Sequence, residues 1–193
     1  MKVAIFNGSS RQHSNSELIS GELRLIFERL GYDTVVLNSS DMTGCRPCNQ
    51  CGFCSSVGSC IYERDTLGQH HIKHIWASNI WVIVTPVYCF SMSPPTLTLL
   101  SRFYSYGPEV LQGKVVSSVI VSGSSGRYGG KSLVNESFKR YFEYTGANYT
   151  NKPIGITTND TVLEDLHKLT PRLRLFCKDL IRRAKNAENS TKD

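Results

Sequence analysis

The first sixteen residues constrain the fold more than any other stretch of this chain. Residues 3–6 (Val-Ala-Ile-Phe) form an unbroken apolar run, typical of a strand buried on both faces of a sheet. Asn7 and Gly8 end the run, and Ser14 with Glu17 forms a capping box that starts an amphipathic helix. A serine-rich loop therefore lies between a buried strand and a helix N-terminus. Free backbone N–H groups and the helix dipole favour an anion at such a place.

The loop itself supplies more groups that bind phosphate. Hydroxyl, amide and guanidinium side chains stand at Ser9, Ser10, Arg11, Ser14, Asn15 and Ser16. The loop lacks the glycine fingerprint of dinucleotide-binding folds and the lysine of nucleotide hydrolases. A polar connection without a ligand is the simpler interpretation, but the order of strand, loop and helix cap favours a site for a monophosphate such as FMN.

Further apolar segments predict the rest of the sheet. We predict strands over residues 34–37, 80–84, 115–121 and 153–156. We predict helices over residues 14–30, 65–76, 95–104, 131–145 and 162–185, the last of them kinked or broken at Pro171. Strands that alternate with helices predict an α/β fold. The expected architecture is a flavodoxin-like, doubly wound parallel sheet of five strands in the order 2-1-3-4-5, with helices on both faces.

Length and composition predict one domain over residues 1–185, with a cysteine-rich insertion at about residues 38–64 and a frayed tail over residues 186–193. The sequence shows neither a membrane-spanning run nor a secretion signal, so we expect a cytoplasmic protein without a membrane partner. The formal charge of +6 permits polyanionic partners. The basic cluster at Lys178, Arg182, Arg183 and Lys185 nevertheless favours a solvated helix end over nucleic-acid binding.

Two more loops lie at the predicted carboxyl edge of the sheet, where folds of this class bind ligands. After the third strand come Pro86, Val87, Tyr88, Cys89, Phe90 and Ser91, whose rings and backbone donors suit a flat heterocycle. After the fourth strand come Ser122, Gly123, Gly126, Arg127, Tyr128 and Gly129. Their glycines allow close approach of a ligand, and Arg127 suits the negative charge of a reduced ring. Either loop alone is also consistent with an ordinary surface turn.

Together the three loops resemble those of the NAD(P)H-dependent FMN reductase superfamily. Residues 8–11 and 14–16 are similar to its phosphate loop, residues 85–88 to its isoalloxazine loop, and residues 123–130 to its second flavin loop. The resemblance implies a flavodoxin-like fold, FMN as cofactor and NAD(P)H as substrate. It also implies a small-molecule electron acceptor, such as a quinone or free flavin, and a homodimer or homotetramer. We expect Tyr88 and Arg127 to lie nearest the flavin ring.

The cysteine segment leads to a second functional hypothesis. The spacing Cys48-x-x-Cys51-x-x-Cys54, with Cys60 after five more residues, resembles the compact motif of iron–sulfur flavoproteins. In those proteins four thiolates hold a [4Fe-4S] cluster that passes electrons to FMN, and the resemblance implies ferredoxin as a partner. Zinc also fits four thiolates. Plain or redox-active thiols stay open as well, because Cys45 adds a fifth candidate and many simple reductases of the superfamily carry a similar pattern.

Three histidines in the predicted helix over residues 65–76 also suggest a metal site. His70 and His74 share a helical face, and His71 lies beside them. However, no acidic ligand is obviously available to complete such a site. We therefore expect these histidines to form a solvated helix surface.

Overall fold

A mainly parallel sheet forms the centre of the protein in the computed structural model, which describes residues 1–150, 152–158 and 166–190. Its strands are β1 (Lys2–Asn7), β2 (Asp33–Asn38), β3 (Ile80–Tyr88), β4 (Ser91–Met92), β5 (Val115–Ser122), β6 (Asn148–Tyr149) and β7 (Ile154–Thr157). The strand order is β2-β1-β3-β5, and both β6 and β7 pair with β5. The five longer parallel strands thus have the order 2-1-3-5-7, which confirms the flavodoxin-like arrangement. The short strands β4 and β6 are additions to it.

The helices are α1 (Asn15–Arg29), α2 (Phe53–Val57), α3 (Lys73–Trp76), α4 (Pro94–Arg102), α5 (Lys131–Tyr144) and α6 (Leu166–Ser190). A π-helical segment over Leu67–Ile72 leads directly into α3. Short 3-10 helices cover Ser39–Met42, Phe103–Tyr106, Pro108–Leu111 and Gly126–Gly129. Within the described ranges, no helix combines the length and the apolar character that a membrane crossing requires.

The apolar run in β1 is buried on both faces, as its sequence predicts. Val3 and Ile5 belong to a core formed with α1 and α6, whereas Ala4 and Phe6 belong to a second core formed with α3, α4 and α5. Alternate residues of a strand point to opposite faces, so a strand between two helical layers must be apolar throughout. The two cores confirm that helices cover both faces of the sheet.

The third strand is longer than predicted. Its parallel pairing with β5 continues through Thr85 and Pro86, which lie opposite Ile120 and Val121. Beyond Tyr88 the chain turns back into β4, so the predicted loop after residue 84 begins instead as an extended strand and an antiparallel hairpin. Cys89 and Phe90, with φ of 48° and 61°, form the turn. Two consecutive residues with positive φ are what a tight two-residue hairpin requires.

The last helix also differs from the prediction. Its predicted start at residue 162 lies outside the described residues, and α6 continues through Pro171 without a break to Ser190. Residues 186–190 are therefore helical, where we predicted a frayed tail, and residues 191–193 lie outside the described part. The Asn79 amide donates a hydrogen bond to Glu188 at 3.2 Å, which ties the last turns of α6 to the sheet.

His71 does not lie on a solvated surface, and this expectation was wrong for that residue. The side chain is fully buried between the π-helical segment and β2, and its Nε2 lies 2.9 Å from the carbonyl oxygen of Asn38. His70 and His74 are exposed, as predicted. Burial lowers the pKa of His71 below its ordinary value, because the charged imidazolium loses its hydration.

This burial predicts a pH-dependent stability that His71 controls. When the pKa of a base is lower in the folded state, the unfolded state binds the proton at a higher pH than the folded state does. Acidification below about pH 6.5 therefore favours unfolding. In the wild type, the free energy of unfolding should fall between about pH 7 and about pH 5.5 by at most ~1.4 kcal/mol per pH unit, and His71→Phe should make this fall smaller. Urea denaturation at both pH values measures the free energy of unfolding. His70→Phe, at an exposed site, should keep the wild-type slope, and an equally steep slope in His71→Phe contradicts the prediction.

Candidate functional site

A cavity of about 390 Å³ lies at the carboxyl edge of the sheet, where the loops after β1, β3 and β5 meet. It is lined by Arg11, Gln12, His13, Ser14, Asn15, Pro86, Val87, Tyr88, Val121, Ser122, Gly123 and Thr158. The volume falls within the range of about 300–1,000 Å³ that small-molecule sites occupy. The cavity contains residues from all three loops that the sequence singled out.

Short-range hydrogen bonds fix the loop after β1. The Asn7 side-chain oxygen accepts from the Ser9 N–H at 3.2 Å, and Ser9 Oγ accepts from the Arg11 N–H at 3.3 Å. Ser14 Oγ accepts from the Glu17 N–H at 3.2 Å, which confirms Ser14 as the cap of α1. The loop is therefore shaped by its own side chains, with the N-terminus of α1 at the cavity wall.

The cavity contains only part of the predicted residue set. Of the predicted residues, those that line it are Arg11, Ser14, Asn15, Pro86, Val87, Tyr88, Ser122 and Gly123. Ser9 and Ser16 are buried, and Ser10 is exposed beside the loop. The remaining predicted residues lie at the hairpin tip or in the short helix after β5: Cys89, Phe90, Ser91, Gly126, Arg127, Tyr128 and Gly129. Contact of these outer residues with a ligand stays a prediction.

A buried cluster of hydroxyl groups joins the first loop to the hairpin. Ser93 Oγ donates to the carbonyl oxygen of Gly8 at 2.6 Å and lies 2.9 Å from Thr96 Oγ1. Thr96 Oγ1 in turn donates to Thr85 Oγ1 at 3.1 Å. All three hydroxyl side chains are fully buried. The hydroxyl cluster, formed by Thr85, Ser93 and Thr96, therefore sets the distance between two walls of the cavity, and nothing in the sequence pattern indicated it.

The third loop packs directly on the hairpin. Gly130 has a φ of 64°, and a Cβ atom there would lie 2.8 Å from Val87 Cγ1 and 3.0 Å from Phe90 Cα. Lys131 Nζ donates to Thr157 Oγ1 at 2.6 Å and to the carbonyl oxygen of Ser124 at 3.2 Å, so it joins the loop to the end of β7. The three loops thus form one packed rim around the cavity.

Some lining residues were not predicted. Gln12 and His13 belong to the first loop but lack the small hydroxyl groups that drew attention to their neighbours. Val121 gives no chemical signal. Thr158 directly follows β7, and the rule that ligands bind beyond the carboxyl ends of parallel strands could have identified it.

A separate cavity of about 270 Å³, the cysteine cavity, lies beside the C-terminal end of α4. Its lining includes Cys48, Cys51, Cys54 and Cys60, so the structure brings the four predicted ligands together. In the part of the chain that the structure describes, however, no three His, Cys, Asp or Glu side chains are placed to hold one metal ion. The seven cysteines, all within the described ranges, form no disulfide.

Arg102 holds the cysteine-rich insertion in place. Its guanidinium is buried and donates to the carbonyl oxygens of Arg46 at 3.1 Å and Tyr62 at 2.8 Å. It also pairs with the Asp65 carboxylate at 2.7 Å. Burial alone lowers the pKa of Arg102, but the hydrogen bond and the charge of Asp65 raise that pKa above its ordinary value, so the group stays charged. One buried cation therefore joins both ends of the insertion to α4.

The sheet order and the carboxyl-edge cavity define a flavodoxin-like α/β protein. Among similar solved structures is RosB with bound 8-demethyl-8-formylriboflavin-5'-phosphate: the TM-score is 0.73 at 14% identity over 98% of this chain and 81% of that one. An oxidoreductase from Corynebacterium diphtheriae gives a TM-score of 0.65 at 16% identity, covering 96% and 97%. A mutant of flavodoxin from Pseudomonas aeruginosa gives a TM-score of 0.60 at 15% identity, over 93% of this chain and 99% of that one.

The sequence itself identifies the family. Residues 1–160 match the family of NADPH-dependent FMN reductases, and the chain belongs to this family. It is therefore an FMN-dependent oxidoreductase. The comparison with curated protein sequences gives no match.

Proposed function

We propose that the protein binds FMN in the carboxyl-edge cavity and passes reducing equivalents from NADH or NADPH to a small acceptor such as a quinone or free flavin. The observation that carries the proposal is the packing of three loops around one cavity of about 390 Å³, with a helix N-terminus in its wall. When bound, FMN supplies the redox chemistry, accepting a hydride and releasing electrons to a second substrate. The protein's own part is binding, orientation and exclusion of water.

The residues present fit this cofactor. The hydroxyl of Ser14, the amide of Asn15 and the guanidinium of Arg11 stand together at the positive end of α1, where they suit a terminal phosphate. Tyr88 and the backbone of the hairpin lie in the facing wall and suit a flat polar ring. Among the lining residues we assign no general acid or base, because hydride transfer to a flavin does not require one.

Ser14→Asp tests the phosphate end of the site without disturbing the helix. Aspartate caps a helix as well as serine does, so the free energy of unfolding should change by less than about 0.5 kcal/mol. Its negative charge would face the phosphate, and we expect FMN affinity to fall by about tenfold to a hundredfold. Quenching of flavin fluorescence on titration measures the affinity.

Ser14→Asn is the matched control, since asparagine caps equally well but carries no charge. It should bind FMN within about threefold of wild type if charge is the cause. Riboflavin, which lacks the phosphate, should bind equally to both variants. Unchanged FMN binding in Ser14→Asp would place the phosphate elsewhere and overturn this assignment.

We also propose the cytoplasm as the site of action and a homodimer or homotetramer as the working form. Unpaired thiols at all seven cysteines are consistent with a reducing compartment.

Steady-state oxidation of NADPH and NADH by FMN-saturated protein, with a quinone or free flavin as acceptor, tests the activity. If neither NADH nor NADPH is oxidised, the proposed activity is contradicted. Sedimentation analysis measures the oligomeric state.

An iron–sulfur flavoprotein that receives electrons from ferredoxin is the second candidate. This candidate is favoured by the lining of the cysteine cavity, which contains the buried cation of Arg102 and the four cysteines Cys48, Cys51, Cys54 and Cys60. Four thiolates and a neighbouring positive charge suit an anionic [4Fe-4S] cluster, although the sulfur atoms would have to move to bind it. Anaerobic purification with iron and sulfide assays tests this candidate. Zinc without sulfide indicates a structural site, and metal-free protein indicates plain or redox-active thiols.

A further inference from the structure

A third and larger cavity, of about 540 Å³, lies between the cysteine segment, the C-terminal end of α4 and the C-terminal half of α5. We call it the helix-side cavity. It is lined by Cys48, Gln50, Cys54, Ser55, Leu100, Ser101, Phe103, Tyr104, Ser105, Gly107, Leu111, Tyr141, Tyr144 and Thr145. None of these residues lines the carboxyl-edge cavity, so the two cavities are separate places in the fold.

The lining determines which ligands this cavity accepts. Among the lining residues whose side chains the structure describes, none is Asp, Glu, Lys, Arg or His. Arg102 lines the adjoining cysteine cavity but is paired there with Asp65, so a charged ligand would lose hydration without gaining a free partner, which is costly. Four aromatic rings, those of Phe103, Tyr104, Tyr141 and Tyr144, stand beside Leu100 and Leu111. Rings in such numbers favour an aromatic ligand, which gains both apolar burial and edge or face contacts.

Only a few polar groups remain for a ligand. The Tyr141 hydroxyl donates to the carbonyl oxygen of Leu100 at 3.0 Å. Ser101 Oγ donates to the carbonyl oxygen of Thr98 at 2.9 Å and accepts from the Cys48 N–H at 3.1 Å. Within the described ranges, the side chains of Gln50, Tyr104 and Tyr144 make no hydrogen bond to protein. One amide and two phenols at the cavity wall suit a ligand that carries a hydroxyl or carbonyl group.

We propose that the helix-side cavity is a second ligand site that binds a neutral aromatic molecule carrying a hydroxyl or carbonyl group. This cavity adjoins the cysteine cavity, so such a ligand lies against the cysteine segment and not against the proposed flavin site. The residues that line both cavities are Cys48, Gln50, Cys54, Ser55, Tyr104 and Ser105. The inference goes beyond the proposed flavin chemistry and does not depend on it.

Fluorescence titration of the full chain with 2-naphthol tests the site, first with saturating FMN and then without it. We expect a dissociation constant on the order of 100 μM that FMN does not change. Naphthalene-2-sulfonate has the same rings with a negative charge, and it should bind at least about tenfold more weakly. Equal binding of the two compounds, or loss of naphthol binding in the presence of FMN, overturns the proposal.

Tyr144→Ala locates the ligand, because this side chain is 73% exposed and its removal should not affect folding. We expect naphthol to bind about fivefold more weakly to this variant. Leu175→Ala changes a comparably exposed apolar side chain on α6 and should leave binding at the wild-type value. Unchanged binding in Tyr144→Ala overturns the assignment. An assembly that dissociates in Tyr144→Ala, with no naphthol binding, assigns the cavity to a second copy of the chain and also overturns it.

Discussion

Gly8→Ala is expected to weaken FMN binding at least about a hundredfold and to lower the unfolding free energy by about 1–3 kcal/mol. A Cβ atom at this position would lie 2.3 Å from Thr96 Oγ1, 3.1 Å from Ser93 Oγ and 3.2 Å from the Val84 carbonyl oxygen. The Gly8 N–H also donates to that carbonyl at 2.8 Å, so the added methyl group must push the loop away from β3. The two hydroxyl side chains are fully buried and hydrogen-bonded to each other, to the Gly8 carbonyl oxygen and to Thr85, so rotating either of them away would break these bonds.

Two variants separate this effect from a general loss of stability. Gly21→Ala adds the same methyl group inside α1, where nothing lies within 4 Å of the new atom. It should stabilise the protein by about 0.5–1 kcal/mol and leave FMN affinity unchanged. Adding Thr96→Ala to Gly8→Ala removes the nearest clash and should restore part of the affinity. Wild-type flavin binding by Gly8→Ala would show that the hydroxyl cluster does not set the position of the first loop.

Arg102→Met is expected to have the largest effect on stability, a loss of about 3–5 kcal/mol. The substitution removes a buried cation and leaves the Asp65 carboxylate, whose side chain is only 21% exposed, without its partner. The carbonyl oxygens of Arg46 and Tyr62 lose their donors as well. Denaturation in urea measures the loss, and limited proteolysis should cut the released insertion faster than in wild type.

Arg140→Met is the matched control for this prediction. Arg140 pairs with Glu136 at 2.8 Å on the surface of α5, and its side chain is 78% exposed. Such a pair contributes less than about 1 kcal/mol, because water and salt screen it. In a second test, Asp65→Leu combined with Arg102→Met removes both charges and should recover part of the lost stability. Equal losses in Arg102→Met and Arg140→Met would mean that the buried pair does not hold the insertion.

The sequence was sufficient to predict the sheet and the loop between β1 and α1. An apolar run over residues 3–6 specifies a strand buried on both faces, and the cap at Ser14 specifies where the next helix starts. Both signals are local, and the structure follows them. The extension of β3 was not predictable in this way, because Thr85 and Pro86 have the composition of a turn. They are strand residues only because β5 lies beside them.

The same distinction between local and tertiary signals applies to the candidate site. Loop composition indicated Arg11, Ser14 and Tyr88, which line the cavity. It could not indicate the hydroxyl cluster, whose hydrogen bonds join residues far apart in the chain. Cysteine spacing likewise predicts that four thiols lie near one another, but their exact arrangement depends on α4 and Arg102.

Arg102 also makes the cysteine segment a replaceable module. The arginine donates to the main-chain carbonyl groups of Arg46 and Tyr62, and these two hydrogen bonds do not depend on which side chains stand there. Its pairing with Asp65 and its position over the Tyr62 ring, 5.6 Å from the ring centre, do depend on the side chain. A transplanted peptide that keeps Tyr62 and Asp65 and brings two carbonyl groups to the same guanidinium would be held against α4 in the same way. The segment between these contacts could thus change in sequence while α4 and the sheet keep a single common framework.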